Sequence, residues 1–265
     1  MAISEKRGSA LDETSAFARE AADLEEYARS LGADVFGIAA AEAFTEFPNK
    51  PQPETFVPGA KSVVVLGVAN TPGLFASVST PELAEISPKG SDYAARSAKY
   101  MDRPPSGAER YFLNDEAAQL TNDVMRIGYK TSWKLRREGY HAFYFSPFTQ
   151  DARFKTTAFY LMPAMYLAGL GQMGFNCSIL HPEFGPRVWV TAIVTDKELP
   201  AGKPLGEHYY EGCKSCLECV KNCPSRALNG KGWKNVWRCA SYGCCGTCLS
   251  VCPIGKTAAA ATAAA

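Results

Sequence analysis

The sequence predicts an α/β domain followed by a small cysteine-rich domain. Helical and strand-like segments alternate over the first two hundred residues, an order typical of an α/β fold. Nine of the ten cysteines then lie between Cys213 and Cys252. Pro200 and Pro204 precede this segment and mark a linker. We therefore predict an α/β domain over residues 1–200, a cysteine-rich domain over 201–256 and an alanine-rich tail over 257–265.

Residue periodicity gives the elements of the first domain. Apolar residues at helical spacing predict three helices, over residues 11–31, 114–138 and 157–167. Gly32 follows the first helix and is expected to end it. Short runs rich in valine or aromatic residues predict four strands, over 34–39, 61–68, 141–145 and 187–195. Residues 72–105 contain many Pro, Gly and Ser residues and predict a long loop with one short helix near 92–100.

Composition and charge exclude several kinds of partner and location. A net charge of +1 and a pI near 7.5 offer no electrostatic attraction to DNA or to an anionic membrane. The N-terminal residues lack the apolar core of a signal peptide, and no run of about eighteen apolar residues is present to span a membrane. We expect a soluble, cytoplasmic protein that acts on a small molecule, with neither DNA nor a membrane as partner.

The cysteine spacing indicates a pair of 4Fe-4S clusters. Cys213, Cys216, Cys219 and Cys223, with Pro224, match C-x2-C-x2-C-x3-C-P, the run found in bacterial two-cluster ferredoxins. In that run the fourth cysteine binds the other cluster. A second, degenerate half follows with Cys245, Cys248, Cys252 and Pro253. A zinc knuckle needs four ligands and would leave this second half without a role.

The second half lacks its first cysteine, because Tyr242 occupies the expected position. Cys239 and Cys244 are the candidates for the missing ligand. We prefer Cys239, since the adjacent Cys244 and Cys245 would reach two irons of one cubane only with strain. Crosswise sharing then assigns Cys213, Cys216, Cys219 and Cys252 to a first cluster. It assigns Cys223, Cys239, Cys245 and Cys248 to a second, and leaves Cys244 as a spare thiol.

A glycine-rich segment, Gly169-Leu-Gly171-Gln-Met-Gly174, matches the G-x-G-x-x-G pattern of dinucleotide-binding folds. Its context differs, because it follows a predicted helix and precedes a loop and a strand. The dinucleotide pattern instead follows a strand and opens the helix that binds the pyrophosphate. We therefore expect no nicotinamide site. We also expect structural roles for the isolated residues, Cys177, His141, His181 and His208.

Residues 168–187 (AGLGQMGFNCSILHPEFGPR) are followed by a strand ending in Thr195-Asp196 and then by the double-cluster motif. This order resembles the epoxyqueuosine reductase and reductive dehalogenase superfamily. Residues 31–39 and 58–67 look similar to the opening of its short members. The resemblance implies a nitroreductase-like α/β domain that binds a corrinoid (cobalamin), followed by a small bacterial-ferredoxin-like domain with two 4Fe-4S clusters that reduce it.

By this resemblance, the corrinoid pocket would include Gly169, Gly171, Gly174, Pro182, Gly185 and Arg187. Glycines suit such a pocket because a broad macrocycle needs a close approach of the backbone. The acidic proton donor of epoxyqueuosine reductases is replaced here by Lys155-Thr-Thr157, and Asp151 lies a few residues too early. The remaining candidates for a proton donor are Tyr160, Tyr166, Lys155 and Tyr100.

The resemblance implies a corrinoid- and iron–sulfur-dependent reductase that receives electrons from a reduced ferredoxin or flavodoxin. A small-molecule substrate is expected, and a tRNA substrate is left open. Loss of the acidic donor position motivates one alternative, a non-catalytic electron-transfer or accessory iron–sulfur protein. A flavin-dependent reductase on the same fold is another.

Overall fold

The protein is described from a computed structural model over residues 17–70, 107–147, 150–151, 156–241 and 244–255. Its strands are Val35–Ala40 (β1), Ser62–Ala69 (β2), Ala142–Phe145 (β3), Gln150–Asp151 (β4), Thr156–Thr157 (β5), Gln172–Met173 (β6), Ile179–Leu180 (β7) and Val188–Thr195 (β8). Its helices are 17–30 (α1), Gly107–Arg137 (α2), Leu161–Leu167 (α3), Cys213–Cys216 (α4), Glu218–Lys221 (α5), Val236–Ser241 (α6) and Thr247–Ser250 (α7). Short 3-10 helices cover Ala41–Glu46 and Pro53–Thr55. The predicted short helix near 92–100 and the alanine-rich tail lie outside the described residues.

A four-stranded antiparallel sheet forms the centre of the α/β part, which we define as residues 17–199. The strand order is β1-β2-β8-β3. Two further antiparallel pairs, β4 with β5 and β6 with β7, form separate two-stranded sheets. The β6–β7 hairpin carries the chain from the glycine-rich segment towards β8.

Strand β2 shows why this sheet is apolar on both faces. Val63 and Val65 belong to one hydrophobic core, together with α3 and the ring of Phe159. Val64 and Leu66 belong to a second core on the opposite face, together with residues of α1 and α2. Because successive side chains of a strand point to opposite faces, a continuous apolar run is what a sheet covered on both sides requires.

The α/β fold class is confirmed, and so are the four predicted strands to within a residue or two at their ends. Gly32 ends α1 as expected, with φ of 104°, and its amide donates to the carbonyl of Arg29. Helix α2 begins at Gly107, before the predicted residue 114. Among the described helices, none is long and apolar enough to cross a membrane.

The predicted start of the helix over 157–167 is wrong. Helix α3 begins at Leu161, and Thr156–Thr157 instead forms β5. The backbone of β5 pairs antiparallel with Gln150–Asp151 of β4. Pairing with a strand that comes earlier in the chain therefore outweighs the local helical pattern.

Candidate iron–sulfur site

The cysteine segment, residues 213–255, is built as two similar halves. Leu217 follows Cys216, and Gly246 follows Cys245 at the equivalent place; their φ angles are 55° and 73°. Each of them precedes a short helix, α5 or α7, and these two helices pack against each other. A left-handed conformation is costly for leucine and easy for glycine. Because the left-handed conformation occurs at the same place in both halves, we attribute it to the shared spacing of the cysteines.

Four cysteines line one cavity of about 170 Å³. They are Cys213, Cys216, Cys219 and Cys252. The fourth comes from the second half of the segment, as crosswise sharing predicts. Apolar side chains supply the rest of the wall, mainly Phe175, Leu180, Leu217 and Ile254. We call these four cysteines the inner group, because residues of the α/β part help to enclose them.

Three thiols of the inner group, those of Cys213, Cys219 and Cys252, are held in surroundings that oppose their ionisation. Burial raises the pKa of Cys219 to about 11, and the neighbouring Cys213, Cys252 and Cys216 contribute in the same direction. Burial also raises the pKa of Cys213 and of Cys252. Four thiolates at this place therefore need compensating positive charge, which iron ions supply when they bind sulfur.

The remaining cysteines of the segment form an outer group. Cys248 lies close to Cys245, Cys223 and Cys219, and burial raises its pKa to about 12. Cys239 lies close to Cys248 and shares a hydrogen bond with Cys244. The outer group thus contains five thiols for four ligand positions: Cys223, Cys239, Cys244, Cys245 and Cys248.

Cys239 and Cys244 compete for the last position of the outer group. The hydrogen bond with Cys239 lowers the pKa of Cys244 to about 6, with a smaller contribution in that direction from Lys234. Cys244 is exposed and has a φ of 50°, whereas Cys239 is half-buried and also approaches Cys248. These contacts favour Cys239, and its assignment as the ligand stays a prediction.

The donor set suits clusters better than a single ion. Within the described ranges, no three His, Cys, Asp or Glu side chains are arranged to hold one metal ion. A cubane takes one thiolate for each of its irons, so its four ligands surround a cavity instead of meeting at a point. The inner group has this arrangement.

The glycines assigned to a corrinoid pocket pack against other residues of this chain, three of them against its backbone. A Cβ at Gly169 would collide with the carbonyl of Lys203, one at Gly171 with that of Leu180, and one at Gly185 with that of Ile254. A Cβ at Gly174 would meet the side-chain oxygen of Asn176 at 2.6 Å. The close approach that requires glycine is therefore internal, and these four positions give no separate support to a corrinoid pocket. Their assignment to one stays a prediction.

Arg187, also assigned to that pocket, lies against the cysteine segment. It is 7% exposed, and its guanidinium donates hydrogen bonds to the carbonyls of Leu249 (3.0 Å), Cys252 (3.2 Å) and Ile254 (2.5 Å). Pro182, at the other end of the same turn, is exposed. The turn therefore joins the α/β part to the second half of the cysteine segment.

Two of the four proton-donor candidates lie in the described residues. Tyr166 is buried, and its hydroxyl donates to the carbonyl of Gly206 at 3.1 Å. Burial, and after it the charges of Glu46 and Glu207, raise the pKa of Tyr166, which makes it a weaker acid. Tyr160 lies under the ammonium of Lys50, 3.7 Å from its ring centroid. Lys155, Tyr100 and the side chain of Asp151 lie outside the described residues.

The isolated Cys177 and His181 have structural partners. The thiol of Cys177 donates to the carbonyl of Gly232 at 3.3 Å, and burial raises its pKa. The Nδ1 atom of His181 accepts from the amides of Glu183 and Phe184, within its own turn. Burial lowers the pKa of His181, which favours the neutral ring that can accept these bonds. Both residues therefore stabilise loops beside the inner group.

Proteins of known activity resemble this chain, although no family model matches it. The tetrachloroethene reductive dehalogenase of Sulfurospirillum multivorans is 34% identical over 111 residues, 34% of this chain and 22% of that protein. The epoxyqueuosine reductase of Lactococcus garvieae is 26% identical over 192 residues, 72% of this chain and 45% of that protein. The chain is a relative of both reductase classes. It spans less than half the length of these two relatives.

Solved structures of both classes share the fold. The epoxyqueuosine reductase of Streptococcus thermophilus matches with a TM-score of 0.53 and 15% identity, over 88% of this chain and 65% of that one. A reductive dehalogenase, whose structure suggests a mechanism for B12-dependent dehalogenation, matches with a TM-score of 0.54 and 22% identity, over 90% of this chain and 33% of that one. The superfamily resemblance read from the sequence is confirmed, and these relatives are all named as reductases.

Two cations that lie beside the thiols of this chain were not identified from its sequence. Arg187 acts electrostatically on Cys252, and Lys234 acts on Cys239, Cys244 and Cys248. Lys234 lies in the loop between the two halves, next to an exposed tryptophan. A basic residue so near the cysteines in sequence could have been recognised as a neighbour of their thiols. Arg187 lies far from Cys252 in sequence, so only the fold brings the two together.

Proposed function

We propose that this chain is an iron–sulfur reductase in which two 4Fe-4S clusters pass single electrons to a second cofactor in the α/β part. The observation that carries the proposal is the division of the cysteines into an inner and an outer group, each drawing a thiol from the other half of the motif. Relatives named as reductases support an oxidoreductase. Cys213, Cys216, Cys219 and Cys252 would hold the inner cluster, and Cys223, Cys239, Cys245 and Cys248 the outer one.

The positions of the two groups support one order of electron transfer. The outer group contains the exposed Cys244, whereas the inner group is enclosed partly by Phe175 and Leu180 of the α/β part. Cys219 of the inner group and Cys248 of the outer group lie close enough to interact electrostatically. An electron arriving from solvent would therefore reach the outer cluster first and pass to the inner cluster across this contact.

We propose a corrinoid as the second cofactor. The support is the sequence resemblance over residues 168–187 and the B12-dependent dehalogenation described for one relative of the same fold. A bound corrinoid would supply a reducible cobalt centre. Three of the four predicted pocket glycines pack on protein backbone and Gly174 packs on the side chain of Asn176, so we assign no contact to this cofactor. A flavin in its place is the alternative that a spectrum distinguishes.

We propose an acidic electron carrier, a ferredoxin or flavodoxin, as the donor. After Glu218 the chain has six basic residues and no acidic one, although its overall net charge is only +1. Trp233 is 59% exposed in the loop before α6, and Trp237 is 57% exposed within α6, the helix that contains Cys239. Exposed tryptophans among basic residues are typical of a docking surface for an acidic protein.

The location of the protein in the cytoplasm stays a prediction.

The substrate is proposed as a class. The relatives are named for epoxyqueuosine and for tetrachloroethene, and one related structure contains a tRNA stem loop. Both names describe reductive removal of an electronegative atom, oxygen or chlorine, from carbon. We propose that this chain reduces a carbon–heteroatom bond in a small molecule or a modified nucleoside.

The test is anaerobic reconstitution of the full chain with iron, sulfide and cobalamin. We expect iron and sulfide for two clusters, an EPR signal of two interacting reduced clusters, and a corrinoid absorption spectrum after removal of unbound cofactor. Substrate-dependent reoxidation of the reduced clusters would exclude the carrier-only alternative. Binding of a single zinc ion, or of one cluster at most, would overturn the proposal, and a flavin released on denaturation would replace the corrinoid.

A further inference from the structure

The guanidinium of Arg187 connects the α/β part to the segment that carries Cys252. Arg187 directly precedes β8 and is buried at 7% exposure. Three carbonyls that accept its hydrogen bonds, those of Leu249, Cys252 and Ile254, belong to the end of α7 and the turn after it. One rigid fork of donors therefore fixes the backbone on both sides of a predicted cluster ligand.

The backbone around the guanidinium of Arg187 is packed so closely that the two turns it joins have no room to move. A Cβ at Gly185 would collide with the carbonyl of Ile254, and a Cβ at Gly255 would collide with the backbone of Phe184 and Gly185. The two turns thus meet backbone to backbone. Cys252 is itself 8% exposed, so its thiol is held in one place from both sides.

The same guanidinium places a positive charge beside a predicted ligand of the inner group. It donates to the carbonyl of Cys252 itself at 3.2 Å, so its charge lies next to that residue. Reduction of a cluster adds one negative charge. A buried cation nearby stabilises the reduced form more strongly than an exposed one, because the surroundings screen it less.

The outer group has a different cation. Lys234 approaches Cys239, Cys244 and Cys248, but it is half-exposed and carries a flexible side chain. Solvent screens such a charge, so its effect on the outer cluster is expected to be smaller.

We propose that Arg187 is a positioning residue that fixes Cys252 on the inner cluster and raises the reduction potential of that cluster above that of the outer one. This rests on the proposed function. One electron from the reduced acidic carrier reduces the outer cluster; the outer cluster is then reoxidised as it reduces the inner cluster by the same electron. Arg187 makes this second transfer downhill.

The experiment is an EPR-monitored redox titration of the reconstituted full chain and of three variants. Arg187→Gln removes the charge, Arg187→Lys keeps the charge but loses the planar fork, and Lys234→Met is the matched control at the outer group. We expect Arg187→Gln to lower the potential of one cluster and leave the other unchanged. Lys234→Met should give a smaller decrease, in the other cluster. Arg187→Lys should keep most of the potential but release iron to a chelator faster than the wild type.

The outcomes separate this proposal from the proposed function. Two clusters with unchanged potentials in both Arg187 variants would overturn the role of Arg187 and leave the proposed function intact. A wild-type chain that assembles no clusters would overturn the proposed function itself. Equal shifts of the reduction potentials of both clusters in Arg187→Gln would also overturn the proposal, because a cation that acts only on the inner group cannot change both potentials equally. If the Arg187→Gln variant assembles no clusters, the Arg187→Lys variant decides the test. A wild-type rate of iron loss to the chelator together with wild-type reduction potentials in Arg187→Lys would overturn the proposed role of Arg187.

Discussion

The α/β part and the cysteine segment owe their structure to different forces. The α/β part buries apolar side chains in two cores on the two faces of its sheet. In the described part of the cysteine segment, the buried apolar residues are few: Ala227, Leu228 and Cys252. A segment of this size with so little apolar burial does not compensate the entropy lost on ordering its chain. One region therefore folds by apolar burial, and we expect the other to need the metal that its cysteines are proposed to bind.

The largest effect is expected from removing iron. Chelation should unfold the cysteine segment and leave the sheet intact, because metal binding supplies the folding free energy of small metal-bound regions. Tryptic cleavage after Arg226 and Lys231 should become at least about tenfold faster, while cleavage after Lys61 and Lys134 keeps its rate. Mass spectrometry of the fragments measures both, and far-UV circular dichroism follows the sheet.

The same experiment has a clear opposite outcome. If all four sites became sensitive together, the two regions would form one cooperative unit and the contrast drawn above would be wrong. Arg187 makes this a real alternative, since its hydrogen bonds to Leu249, Cys252 and Ile254 couple the regions.

Each of the two regions has a local signature in the sequence, and the domain boundary placed between them stays a prediction. The valine-rich run of β2 and the cysteine spacing are both patterns of neighbouring residues. The start of α3 was missed because β5 is held by pairing with β4, an interaction outside the local window. Arg187 was assigned to a pocket by resemblance, whereas its guanidinium donates hydrogen bonds to carbonyls more than sixty positions later.

The glycine-rich segment shows a further limit of sequence reasoning. Its pattern correctly indicated that the backbone is closely approached. The approaching atom turned out to be the chain's own carbonyl, from Lys203 at Gly169 and from Leu180 at Gly171. A glycine pattern indicates that another group lies close to the backbone, but it does not identify that group.

The next effect in size separates Cys239 from Cys244 in the outer group. Cys239→Ser should lose about half of the bound iron, because the outer cluster lacks a ligand. Cys244→Ser should keep all of it, since Cys244 is the spare thiol. Iron and sulfide determination after anaerobic reconstitution measures this, with Cys177→Ser as a control thiol outside the segment. Full iron in Cys239→Ser and half in Cys244→Ser would reverse the assignment.

A smaller effect is expected at the tryptophans of the cysteine segment. Replacing both Trp233 and Trp237 by alanine should slow reduction by an acidic ferredoxin by about tenfold, since exposed tryptophans often dominate protein docking. Reduction by dithionite should not change. Stopped-flow absorption at low and high salt measures both rates. Trp133→Ala, an exposed tryptophan on α2, is the matched control. An equal loss in that control would exclude a docking surface at the segment.

The smallest effect tests an ion pair that belongs to the α/β part alone. Lys197 is 8% exposed, and its ammonium contacts Glu138 at 2.9 Å and Glu20 at 3.1 Å. Burial alone would lower the pKa of Lys197, but the hydrogen bonds with the two glutamates outweigh it and raise that pKa. Burial alone would raise the pKa of Glu138, and the hydrogen bonds from Lys134 and Lys197 lower it instead.

The sign of the pH dependence follows from these directions. The raised pKa of Lys197 means that its stabilisation is lost only as the pH rises through the folded value. The lowered pKa of Glu138 means that its stabilisation is lost as the pH falls through its own folded value. Lys197→Met should therefore cost about 1–3 kcal/mol of unfolding free energy at neutral pH. The cost should shrink in acid, where Glu138 is protonated in both proteins.

Urea unfolding followed by circular dichroism at pH 7 and in acid measures this cost, with Lys130→Met as an exposed control. Because the ion pair joins α1, the end of α2 and the residues after β8, its loss should weaken the α/β part. The iron content and the proteolysis of the cysteine segment should stay as in the wild type. Loss of iron in Lys197→Met would show instead that the sheet supports the clusters directly, and that stability in the two regions is shared.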